Sequence, residues 1–160
     1  MQRLAVRNTK MQIPTMAKFF AAISLAGTGF FTANEIIPSL PPGVEGAGVL
    51  PLVAASFGLL MGWRVVGLHP GRPWMSAFSD GLRGALYMMA WSYAFLGAAQ
   101  MLKLAMRMRY DDAVEALVDI IGQGAAIAQA SFGVNVLLVL ICGAALAGLS
   151  SEWAYRKYGR

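Results

Sequence analysis

Few side chains in this chain carry reactive chemistry, and their spacing decides what each can do. His69 is the single histidine. A zinc or iron site needs further His, Cys or carboxylate ligands at helical or loop spacing. None accompanies His69, which reads as a loop residue before Pro70. Cys142 is the single cysteine, which excludes an intrachain disulfide framework, a cysteine-rich zinc site and an intrachain dithiol couple. It falls inside an apolar run and reads as a buried packing residue. Met75, Met88, Met89, Met101, Met106 and Met108 gather in one region. Thioethers bind Cu(I), but this spacing forms no compact ligand set, and methionine is also an adaptable core filler. Ser150 and Ser151 precede Glu152, yet no second histidine offers a base, and no Gly-rich phosphate loop opens a helix after a strand. The residues predict no enzyme, no cofactor and no metal site.

The charges inside apolar runs come next. Glu35, beside Asn34, lies late in the first run. An acid in a membrane segment is a candidate functional charge. Its place next to Pro38, Pro41 and Pro42 favours interfacial anchoring over proton coupling. Asp80 and Arg83 stand three apart, the spacing of a local ion pair on one helix face.

These residues sit on elements that composition assigns to a membrane. The chain has 160 residues, 58% hydrophobic and 13% charged, with a formal net charge of +5. An ordinary soluble domain is about a quarter charged. The positive residues come in short groups between apolar runs rather than on one clustered face, which argues against nucleic acid. About 20 helical residues cross a bilayer core. Four segments of a single domain meet that length, at about 15–37, 46–66, 74–102 and 132–153, after a basic tail at 1–14. The expected fold is therefore an all-α integral membrane protein with four transmembrane helices. The first segment is long, and no small-x-small cleavage site follows it, so it reads as an uncleaved helix.

Lys and Arg orient the chain. The amino-terminal tail and the start of the first run, the loop at 64–83 and the carboxyl-terminal tail together hold ten of them. Lys103, Arg107 and Arg109 are the exceptions, followed closely by Asp111, Asp112, Glu115 and Asp119. The positive-inside rule places both termini in the cytoplasm. The stretch "MGWRVVGLHPGRP" at 61–73 is then an exit from the lipid. Trp63 and Trp153 fit an aromatic belt, and Arg64, Arg72, Arg156 and Lys157 fit contact with anionic headgroups.

Between the third and fourth segments, Val114, Leu117, Val118 and Ile121 recur at helical spacing opposite Asp112, Glu115 and Asp119. An amphipathic helix at about 110–123 is expected, folded back on the bundle or docked on a partner. The small residues of "GQGAAIAQA" after it read as a flexible lead into the fourth segment. Small residues four apart let membrane helices approach closely. Ala54, Gly58 and Gly62 form one such stripe, Ala90, Ala94 and Ala98 a second, and Ala144 with Gly148 a third. Each serves packing within the bundle or an interface with another chain.

Four pieces in order, "IPTMAKFFAAISLAG", "GWRVVG", "LKLAMRMRYDDAVEALVDI" and "LAGLSSEWAYRKY", resemble the TrgA family. These are small bacterial inner-membrane proteins associated with tellurite resistance. The resemblance runs from about Met11 to the end, so residues 1–10 read as an extension and Met11 as an alternative start. It implies an inner-membrane location and carries no site residues. Reduction of an oxyanion needs thiols or a redox cofactor, and its export needs a cationic path. The expected function is thus non-enzymatic, exerted through a homo-oligomer or another membrane protein. The alternative is an accessory subunit of a respiratory or photosynthetic complex. A small-solute or oxyanion transporter is the weaker alternative, because no Lys or Arg lies at the middle of any segment.

Overall fold

A computed structural model describes residues 16–40, 47–68, 71, 73–106 and 113–158, and all regular structure among them is helical. Helix α1 spans Met16–Ile36, α2 Leu50–Arg64, α3 Trp74–Met106, α4 Ala113–Ala130 and α5 Val134–Tyr158. Short 3₁₀ turns extend both ends of the first connection, at Ile37–Ser39 and Ala47–Val49, and a third, Val66–Leu68, follows α2. Pro38 ends α1 because it has no N–H to give. Pro51 falls in the first turn of α2, where the missing donor has no intrahelical partner anyway.

Helices α1, α2, α3 and α5 form an antiparallel ring, and small residues set its closest contacts. A Cβ on Gly58 would lie 2.6 Å from the Leu25 carbonyl oxygen, and one on Gly62 equally close to that of Ala21. One step further along, a Cβ on Gly29 would lie 2.6 Å from the carbonyl of Ala54. The Ala54, Gly58, Gly62 stripe is therefore spent on α1. Ala144 and Gly148 of α5 receive Gly81 and Ala77 of α3 in the same way. On the third side α2 meets α3 through the stacked rings of Phe57 and Trp91, and Val66 of the following turn packs against Gly84. Fully buried Met88 reaches across the ring to Gly29. The Ala90, Ala94, Ala98 stripe instead points outward.

Several boundaries differ from the sequence reading. Helix α3 continues to Met106, and α5 runs from Val134 to Tyr158. Helix α4 continues through the supposed flexible segment to Ala130. Its second half is held by α3: Ile127 is buried, the Tyr93 carbonyl passes beside Gly124, and the Tyr93 hydroxyl bonds Ser131. Tertiary contact overrides the weak helix propensity of Gly122 and Gly124. In the first half, Val118 and Ile121 are exposed. Val114 and Leu117 lie outside the residues whose side chains are described.

Among the described residues three helical segments, Met16–Ser39, Leu50–Leu68 and Val134–Tyr158, are long and apolar enough to cross a membrane. The described structure is thus all-helical and consistent with a membrane protein. Helix α3 has 33 residues, but Tyr, Trp, Ser and Gln dilute its apolar stretch. The outer surface of the ring is apolar, with Phe19, Phe31, Leu52, Leu60, Leu86, Phe95, Leu138 and Leu146 all exposed. Hydroxyls turn back on their own helices: exposed Ser56 and Ser79 and buried Ser92 each donate to the carbonyl four residues earlier. That is how a backbone in lipid keeps its polar side chains satisfied.

Candidate functional site

The antiparallel ring brings most of its described charges to one end, with Glu35 and Lys103 at the other. Lys18, Arg64, Arg83, Arg156 and Lys157 share the first of these ends with two acids, Asp80 and Glu152, among the described residues. Trp63, Trp74 and Trp153 stand around the same end, each exposed, as aromatic residues do at a lipid–water boundary. Arg64 is exposed there, where its head can reach headgroups. Lys157 lies over the Trp153 ring at 4.7 Å, and Trp153 meets Phe20 edge-on at 6.0 Å. Lys18 is buried to 6% exposure, its stem lying across Gly67. His69, Pro70 and Arg72 lie outside the described residues.

Glu152 organises this end, a role that the sequence reading missed. It is 3% exposed. Its Oε2 accepts the Gly71 backbone N–H at 2.8 Å and its Oε1 accepts Arg156 Nε at 2.9 Å. Gly71 has φ +92, a left-handed conformation that suits glycine, and the Tyr155 ring lies close against it. The connection between α2 and α3 is thus pinned onto α5. Arg156, one of the headgroup candidates, is engaged by Glu152 and stacked 4.6 Å over the Trp74 ring, with half of its side chain exposed. Asp80 and Arg83 approach only to 4.0 Å, with Arg83 largely exposed. The i,i+4 spacing of Glu152 and Arg156 was the signal that could have found the stronger pair.

A groove of about 610 Å³ between α1 and α5, open to the outside of the ring, also has the shape of a binding site. Such a volume lies within the usual range for small-molecule sites. Ile23, Gly27, Phe31, Val139 and Leu146 form its apolar walls. Its lower end is closed by the Ser24–Ser150 hydroxyl pair at 2.9 Å. Thr28 donates to the Ser24 carbonyl at 2.8 Å, and Ser150 reaches the Ala147 carbonyl at 3.1 Å. Glu35, exposed, stands at the far end, away from the basic end of the bundle. Cys142 faces this groove and is exposed, contrary to the expectation of a buried thiol. A helix face turned to lipid is as apolar as one turned to the core, so the run of residues did not distinguish them.

The described methionines of α3 are spread over different faces. Met88 and Met89 are buried while Met75 is 78% exposed on another face of α3. Met108 lies outside the described residues. Among the described residues no group of three His, Cys, Asp or Glu side chains could hold a metal ion. Thr32 Oγ1 is buried without a hydrogen-bond partner, inside the ring rather than in the groove. Comparison of the chain with protein-family models, curated proteins and solved structures finds no match in any of the three.

Proposed function

We propose that this is a four-crossing inner-membrane protein of the tellurite-resistance type, both termini cytoplasmic, that works by lateral association within the bilayer. The observation that carries this reading is the groove between α1 and α5. There a packed ring, with the small-residue stripes of α2 and α5 already spent inside, presents a shaped surface to the membrane. Four crossings are supported by the packing. Helix α3 is antiparallel to both α2 and α5 and spans the same height, and its outward face carries Leu86, Trp91 and Phe95. A helix wedged between spanning neighbours, with an apolar outer face, meets lipid along its length. The cluster of Lys and Arg at one end supports a cytoplasmic location for that end.

The tellurite affiliation rests on the four sequence pieces named above. An oxyanion entering the groove would meet apolar walls and the Glu35 carboxylate, and none of the groove's lining residues is a Lys or Arg. Direct transport or capture of an anion is therefore disfavoured, and action through another membrane component is favoured. The exposed Val118 and Ile121 on α4 favour a second reading, an accessory subunit whose partner covers that helix. Purification in mild detergent, alongside a deletion strain, tests both. Lowered tellurite tolerance in the deletion strain supports the first reading, and unchanged tolerance counts against it. Co-migration with a large redox complex supports the second, which a stable homo-oligomer binding tellurite would overturn.

A further inference from the structure

The groove's chemistry specifies its occupant more closely than its shape does. It runs from Ser24 to Glu35 on α1 and from Ser150 to Val139 on α5. Eleven helical residues rise about 16 Å, close to half of a hydrocarbon core of about 30 Å. On the spanning segment Met16–Ser39, the Ser24 end lies about a third of the way in from the cluster of Lys and Arg, and Glu35 lies near the remote end. The groove therefore matches the depth of a single leaflet.

Inside it, the hydroxyls of Ser24, Thr28 and Ser150 are already engaged with one another or with helix carbonyls. They offer little to a polar ligand, and a polar ligand would lose its water without replacement. The remaining ionisable oxygen group is the Glu35 carboxylate at the headgroup end. An occupant that satisfies both must be apolar for about 16 Å and cationic at one end.

We infer that the groove holds a chain of a phospholipid from the leaflet opposite the basic end, and that Glu35 selects a headgroup carrying a primary amine. The inference rests on the reading that α1 and α5 cross the membrane. An ammonium group complements the carboxylate in charge and brings three N–H donors. An anionic phosphatidylglycerol headgroup would be repelled by Glu35.

The test uses the full chain reconstituted into nanodiscs of equimolar phosphatidylethanolamine and phosphatidylglycerol. Lipids that stay with the protein on release into the gas phase are then counted by native mass spectrometry. The wild type should retain the amine lipid over the glycerol lipid by roughly two- to five-fold, the scale of one exposed ion pair. Glu35→Gln, at an exposed position, should bring the retained ratio back to that of the bilayer. Gly27→Leu should lower retention of both lipids. A Cβ at Gly27 meets nothing within 4 Å, and Gly27 lines the groove, so a larger side chain there extends into it. Retention in the bulk ratio by the wild type, an unchanged preference in Glu35→Gln, or undiminished retention in Gly27→Leu would each overturn the proposal. So would a lipid-free dimer whose contact is lost in Gly27→Leu, since a second copy would then occupy the groove. Reporter fusions at residue 40 and at the carboxyl terminus read the crossing of α1 and α5 separately, so a failure of that reading is told apart from a failure of lipid selection.

Discussion

Glu152 shows how a single buried acid can hold a membrane protein's polar end together. Its two carboxylate oxygens satisfy Gly71 and Arg156 at once, while the protein excludes water from it. Removing it leaves a backbone N–H without its acceptor, at a cost of about 1–3 kcal/mol. Glu152→Ala should therefore lower the midpoint of thermal unfolding in detergent clearly. Arg83→Ala should barely move it, because exposed ion pairs contribute about 0–1 kcal/mol. Equal effects would show that Glu152 is no more than another surface charge. In the sequence the two pairs look alike, one at i,i+3 and the other at i,i+4. Burial separates them, and burial depends on Gly71 arriving from 81 residues away. Nothing local announces that.

At the scale of helices, glycines divide into those that make contacts and those that leave space. A Cβ at Gly58 meets Ala26 Cα at 2.8 Å as well as the Leu25 carbonyl, both backbone atoms that cannot rotate away. Gly58→Ala should push α1 and α2 apart and cost about 1–3 kcal/mol, the usual range for overpacking. Gly27→Ala adds its methyl to open space and should be neutral or stabilising by up to about 1 kcal/mol through helix propensity. Paired thermal melts in the same detergent check the contrast. The stripe of Ala54, Gly58 and Gly62 was legible as a close-packing face from its spacing alone. Its partner was not, and the equally regular Ala90, Ala94, Ala98 stripe faces outward. Spacing reports that a face is small, and only the fold reports what stands opposite. The same limit applies to α4, where Gly122 and Gly124 looked like a break until Tyr93 and Ser131 supplied a reason to stay helical.

For the whole molecule, the long apolar runs told most of the architecture, since about 20 apolar residues in a helix have few other uses. The groove was not legible, because it exists only where the first helix lies beside the last. Orientation rests on charge, and it can be perturbed through charge. Changing Arg64 and Arg72 together to Glu replaces two positive residues of one connection by two negative ones. Alkaline phosphatase and green fluorescent protein fusions at the carboxyl terminus should then report mixed or inverted orientation, whereas the wild type should report a cytoplasmic carboxyl terminus. An unaffected pattern in the variant would show that other charges fix the topology.

The adjacency of α1 and α5 also sets an order of events. A chain emerging from the ribosome delivers α1 first and α5 last. Until α5 enters the bilayer, the Ser24 hydroxyl has no Ser150 beside it, and Gly71 has no Glu152 to hold its connection. The first helix must therefore wait in the membrane, with its hydroxyl-bearing face open, while more than a hundred residues are made. Closing the ring, forming the groove and locking the basic end are thus one late step in biogenesis, and α5 is the part that completes all three.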